Sequence, residues 1–161
     1  MKSTPQGESP PIAGGLLFAL LCVAAWAVFT AFTVREPLKL MLEWELLTVF
    51  VRPDTHGWYR TVMTLVGLDV MISGFIVTGA GWLSLLASRK AACFIAQVQA
   101  WLLTILAMRA GAYWLGGYMA GVIGIGISIP LDNLVQAALA AALGIPYFRW
   151  SRRVHQTFVN A

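Results

Sequence analysis

The chain has 161 residues, of which 59% are hydrophobic and only 11% charged, with a mean hydropathy of +0.75 and a formal charge of +4. Soluble domains carry about 25% charged residues, so a water-soluble globule of this composition would lack polar surface. A single integral membrane domain over residues 1–161 follows, and no basic face interleaved with aromatics points to nucleic acid.

Four stretches supply the roughly 20 mostly apolar residues that a spanning helix needs: 12–34, 61–88, 92–115 and 131–148. The first carries no charge and lies between Pro10-Pro11 and Arg35-Glu36-Pro37. Its hydrophobicity runs straight past the small-x-small pattern Ala25-Trp26-Ala27, so an uncleaved span is expected rather than a signal peptide. The second, closed by Arg89-Lys90, exceeds what the hydrocarbon core requires and predicts tilt or a protruding turn. Gly116-Gly117 closes the third and Arg149 the fourth.

Between the first two spans, residues 35–60 form an outer loop. Pro37 suits a first helical turn, where its missing N–H is not needed. Leu40, Trp44, Leu47 and Val51 then recur at helical spacing, opposite Glu36, Lys39 and Glu43, with Glu45 breaking the polar stripe. This predicts one amphipathic helix lying on the outer membrane surface or folding over the bundle, as a connector or as a partner-binding or substrate-capturing lid, followed by a turn over 52–57. Residues 116–130 carry no charge, and Gly117, Gly121, Gly124 and Gly126 weaken any helix there. A surface hairpin, a re-entrant element and a broken extra turn of the fourth helix all stay open.

Lys and Arg set the orientation. With the N-terminus cytoplasmic, Lys2, Arg89, Lys90, Arg149, Arg152 and Arg153 lie inside against Arg35, Lys39, Arg52 and Arg60 outside. Trp58, Tyr59, Tyr113, Trp114 and Tyr118 then mark the outer interface, and Trp82, Tyr147 and Trp150 the inner one. Both termini are expected in the cytoplasm, with residues 149–161 as a tail. Small residues (Gly67, Ser73, Gly74, Gly79 and Gly81 in the second span; Ala137, Ala141 and Gly144 in the fourth) predict the faces where helices meet. Cys22 and Cys93 have no metal-ligand spacing and are expected to be packing residues.

Three ionisable residues fall within or at the margin of spans: Asp69, Arg109 and Asp132. A charge at the bilayer centre costs about 2.5–3.5 kcal/mol on insertion scales, so such residues face the bundle and find partners. Asp69 and Arg109 sit about eight and about six residues from the outer ends of their helices, within a turn in depth at about 1.5 Å per residue. An Arg109–Asp69 pair is expected, completed by Asp132 or Asn133, because one carboxylate cannot satisfy five guanidinium N–H groups. Asp132 could equally cap its helix. Such a cluster fixes helix register or handles a proton or solute, unless Arg109 instead snorkels to the outer interface.

No nucleophile elbow, phosphate loop or zinc helix motif is present. His56 and His155 fall on opposite sides of the membrane, so no catalytic, cofactor or metal site is expected.

The tail carries one further signal. Pro146-Tyr147-Phe148, Ser151-Arg152-Arg153-Val154 and Thr157-Phe158-Val159 resemble the C-terminal signature of a small bacterial inner-membrane family known as domain of unknown function 2569, and Gly14-Gly15-Leu16-Leu17 is similar to the family's opening. The resemblance implies four transmembrane helices and a multi-pass protein of the bacterial inner membrane, without an activity. Independently, Arg149, Arg152 and Arg153 suit anionic headgroups, and Val154 and Phe158, four apart, would lie together on the membrane surface. The expectation is an all-α, four-helix transmembrane bundle with an outer amphipathic helix between helices 1 and 2. Its expected role is that of a non-enzymatic accessory protein in contact with the bilayer and with a membrane-protein partner or a second copy. The alternative is a small transporter or channel-like subunit using Asp69, Arg109 and Asp132.

Overall fold

A computed structural model describes residues 14–52, 54, 56–124, 131–151, 154 and 157–158, without the side chains of 44–46 and 123. Those residues form six helices: α1 Gly15–Thr33, α2 Arg35–Leu42, α3 Trp44–Val51, α4 Gly57–Ser88, α5 Phe94–Ile123 and α6 Asp132–Trp150. Three of them, α1, α4 and α5, are long and apolar enough to cross a membrane. α6 matches α1 in length but is less apolar, with Asp132, Asn133, Gln136 and Arg149 inside it. At about 1.5 Å per residue α4 and α5 reach about 45–48 Å, well beyond a hydrocarbon core of about 30 Å.

Helix ends follow from local chemistry. Gly14 adopts φ 61°, open to glycine, before α1 begins. At the end of α4, Lys90 takes the left-handed conformation at φ 49°. Its N–H donates to the Ala87 carbonyl and that of Ala91 to Leu86, the paired bonds of a Schellman cap. α5 continues through Gly116-Gly117 and stops at Gly124, at φ 70°, whose N–H reaches the Ala120 carbonyl. The expected end at residue 115 is therefore corrected, and residues 116–123 are helical. Residues 125–130 lie outside the described residues, as do Pro10, Pro11, Ile12 and parts of the 52–57 turn.

The connector folds over the bundle, one of the two expected placements, but as two helices instead of one. One straight amphipathic helix would leave the rounded surface of α4, whereas two short helices, broken at extended Glu43 (ψ 112°), both stay against it. Met41 packs on Gly67 of α4, and Lys39 pairs with Glu36 at 2.8 Å on the exposed side. The Trp44 and Glu45 side chains lie outside the described residues.

Neighbouring helices pack in the order α1–α4–α5–α6. Ile72, Ile76, Ala80 and Leu83 of α4 meet Val98, Trp101, Leu102 and Ile105 of α5, all buried at three- and four-residue spacings. Gly79, Ala137, Ala141 and Gly144 occupy packed positions, whereas Gly74 and Gly81 face open space, so not every small residue marks a contact. Cys22 and Cys93 are exposed, contrary to the packing role expected of them.

The tail is the largest correction. α6 ends at extended Ser151, and Val154, Thr157 and Phe158 are fully buried rather than laid on a membrane surface. Phe158 stacks on Phe94 at 4.3 Å between ring centroids, and Phe148 meets the same ring edge-on at 5.9 Å. An aromatic core thus supplies the apolar partner that the Val154–Phe158 face needed. Arg152, Arg153, His155 and Val159 lie outside the described residues.

Candidate intramembrane polar site

Asp69 and Ser73 stand one turn apart on α4, so their side chains share a face. Arg109 projects from α5 onto that face. Its Nη1 donates to Asp69 Oδ1, and its Nη2 lies 3.4 Å from Ser73 Oγ. The Arg109 side chain is 10% exposed and that of Asp69 37%. The cation is the more deeply enclosed partner.

Two other helices complete the surroundings. Thr30 and Thr33 of α1 and Asn133 and Gln136 of α6 line, with the ion pair, a polar cavity of about 30 Å³. Both threonine hydroxyls donate back along α1, Thr30 to the Trp26 carbonyl at 2.8 Å and Thr33 to that of Phe29 at 2.9 Å. The cavity holds about one water-sized group. All four long helices therefore converge on one small polar point, near the C-terminal end of α1.

Asp132 is not part of it. The residue is exposed in the first turn of α6, where a negative charge complements the helix N-terminus. Successive helical residues point about 100° apart, so Asn133 lines the cavity while its neighbour faces away. The expected choice between Asp132 and Asn133 falls to Asn133. Ser73, Thr30, Thr33 and Gln136 join the site without having been singled out for it. Their signal was helical spacing: Ser73 four after Asp69, Thr33 three after Thr30, and Gln136 three after Asn133.

Beside this cavity, α1 and α6 leave an open apolar groove of about 770 Å³. It runs from Gly15 and Tyr147 at one end to Phe29 and Gln136 at the other, and exposed Cys22 lines it. Trp26, Phe29 and Gln136 line groove and cavity alike. Trp26 is held edge-on against Trp101 at 5.9 Å.

Among the described residues, no three of His, Cys, Asp and Glu gather as a metal site. His56 is exposed. Comparison of the chain with protein-family models, curated proteins and solved structures finds no match.

Proposed function

We propose that this chain is a four-span protein of the bacterial inner membrane, with both termini cytoplasmic, that serves as a non-enzymatic accessory protein of the envelope. The resemblance of the tail to that of domain of unknown function 2569 supports the location, and the placement of Lys and Arg supports the orientation. α6 would be the fourth span, with Asn133 and Gln136 beside the Arg109–Asp69 pair. The observation that carries the accessory role is the size of the polar cavity. At about 30 Å³ it holds about one water, which suits a pair that fixes helix register.

The competing reading is a transporter or channel-like subunit; it draws on the 37% exposure of Asp69 and the convergence of four helices. Thiol accessibility separates the two. In a background lacking Cys22 and Cys93, Ser73→Cys and Thr30→Cys are treated with a membrane-impermeant maleimide in intact cells. The accessory reading expects both to stay unlabelled while Asp54→Cys, on the exposed connector, reacts fully. Rapid labelling at Ser73→Cys and Thr30→Cys would replace it with the transport reading. A periplasm-dependent reporter active at the C-terminus would overturn the orientation.

A further inference from the structure

Of the three long apolar helices, α1 is the least buried. It packs along α4, whereas an open groove lies between it and α6. Leu16, in the first turn, is the one α1 side chain with no exposure at all, although its neighbours Leu17 and Phe18 are 45% and 69% exposed.

A line of contacts runs from that turn to the tail. A Cβ on Gly15 would lie 3.0 Å from the Tyr147 hydroxyl oxygen, so this hydroxyl rests against the bare backbone of α1. The Tyr147 ring meets Phe148 at 5.4 Å, Phe148 meets Phe94 at 5.9 Å, and Phe94 stacks on Phe158 at 4.3 Å between centroids. Leu16, Phe94, Phe148, Val154 and Phe158 belong to one buried cluster.

The members of that cluster differ in what else supports them. α5 and α6 share the most extensive interface of the molecule, and α4 and α5 meet through a buried seam of their own. These three helices therefore stay assembled without the tail. The first turn of α1 brings one buried side chain to this end. The tail reaches the cluster beyond extended Ser151 and is anchored by Val154, Thr157 and Phe158. A short segment with few buried side chains opens more readily than a packed helix.

We propose that the C-terminal segment carrying Val154, Thr157 and Phe158 is a strap across the α1–α6 seam. Docked, it keeps Leu16 covered and holds the first turn of α1 to α6. Lifted, it lets that turn part from α6 while α4, α5 and α6 stay together. The state of the tail is thus expressed as the position of α1, and one end of the groove closes or opens with it. The strap goes beyond the accessory role and depends neither on it nor on the orientation in the membrane.

The test uses the full chain in detergent micelles with Cys22→Ser and Cys93→Ser. Two thiols report: Leu16→Cys in the first turn of α1, and Met63→Cys, buried near the opposite end of the bundle on α4. With the tail intact both should react slowly with a maleimide. Phe158→Ala should speed Leu16→Cys by about a hundredfold, the shift expected where a packed ring is lost from an opening equilibrium, and leave Met63→Cys unchanged. A second measurement keeps Leu16 in place. Nitroxides on Phe18→Cys and Leu143→Cys, exposed residues on the two walls of the groove, should move apart in Phe158→Ala. The strap is overturned by fast labelling of Leu16→Cys with the tail intact, or by an unchanged rate or an unchanged distance in Phe158→Ala. An equal rise at Met63→Cys would overturn it too, because Phe158 would then support the whole bundle.

Discussion

Gly79 of α4 lies directly beneath the indole of Trp101 on α5, so close that a Cβ on Gly79 would overlap the ring nitrogen. The indole N–H in turn approaches the Phe75 carbonyl, one turn earlier on α4, at 3.5 Å. Here glycine serves close approach, not backbone freedom. Gly79→Ala should therefore destabilise the bundle by about 1–2 kcal/mol, the cost of overpacking less the gain in helix propensity. Gly74→Ala, five residues away where nothing lies within 4 Å of an added methyl, should stabilise by up to about 1 kcal/mol. Thermal unfolding in detergent compares the two, and equal shifts would show that Trp101 does not occupy this position.

The Arg109–Asp69 pair predicts a reversal that heals itself. Asp69→Arg leaves two cations together inside the bundle and should cost about 3 kcal/mol or more, since loss of one partner strands the other. Asp69→Arg with Arg109→Asp should recover most of the folded yield. A double variant no better than the single one would exclude direct pairing. Asp132→Asn, which touches neither partner, should cost no more than the charge–dipole contribution at the α6 N-terminus, about 0.3–1 kcal/mol.

At the α4–α5 turn, Lys90 holds a conformation that costs an L-residue with a side chain about 1 kcal/mol. Lys90→Gly should relieve that strain and raise stability by about this amount. Lys90→Ala keeps the strain and should not. If alanine stabilises as much as glycine, the cap is not left-handed in solution.

Removal of the Phe158 ring should release the tail before it melts the bundle. Phe→Ala in a packed core costs about 3–5 kcal/mol, more than a short segment crossing extended Ser151 can make up by other contacts. Limited proteolysis should cut Phe158→Ala after Ser151 while α4 and α5 stay protected. Wild-type resistance at that site would mean that the Phe94–Phe158 stack does not hold the tail.

Much of this architecture was legible because charges and apolar runs sit at widely separated positions. Arg89-Lys90 marked the end of α4, and the depths of Asp69 and Arg109 could be compared by counting residues. Finer features escaped for identifiable reasons. The choice between Asp132 and Asn133 depends on a rotation of about 100°, finer than any estimate of where α6 begins. Gly116-Gly117 looked like a stop, yet a glycine costs a helix only about 1 kcal/mol relative to alanine, and α5 runs through both. The Val154–Phe158 face was visible as apolar, but an apolar stripe does not say whether lipid or protein covers it. Phe94, more than fifty residues earlier in the chain, decides that.

The stack of Phe158 on Phe94 also bears on biogenesis. Among the described residues, every other member of the buried core precedes Phe158 in the chain, so the face of Phe94 that Phe158 covers stays open while about 60 further residues are translated. At about 5–20 residues per second that interval is about 3–12 s. During it, an apolar surface at one end of α5 is open to chaperones or to a neighbouring nascent chain, and only the tail's arrival withdraws it.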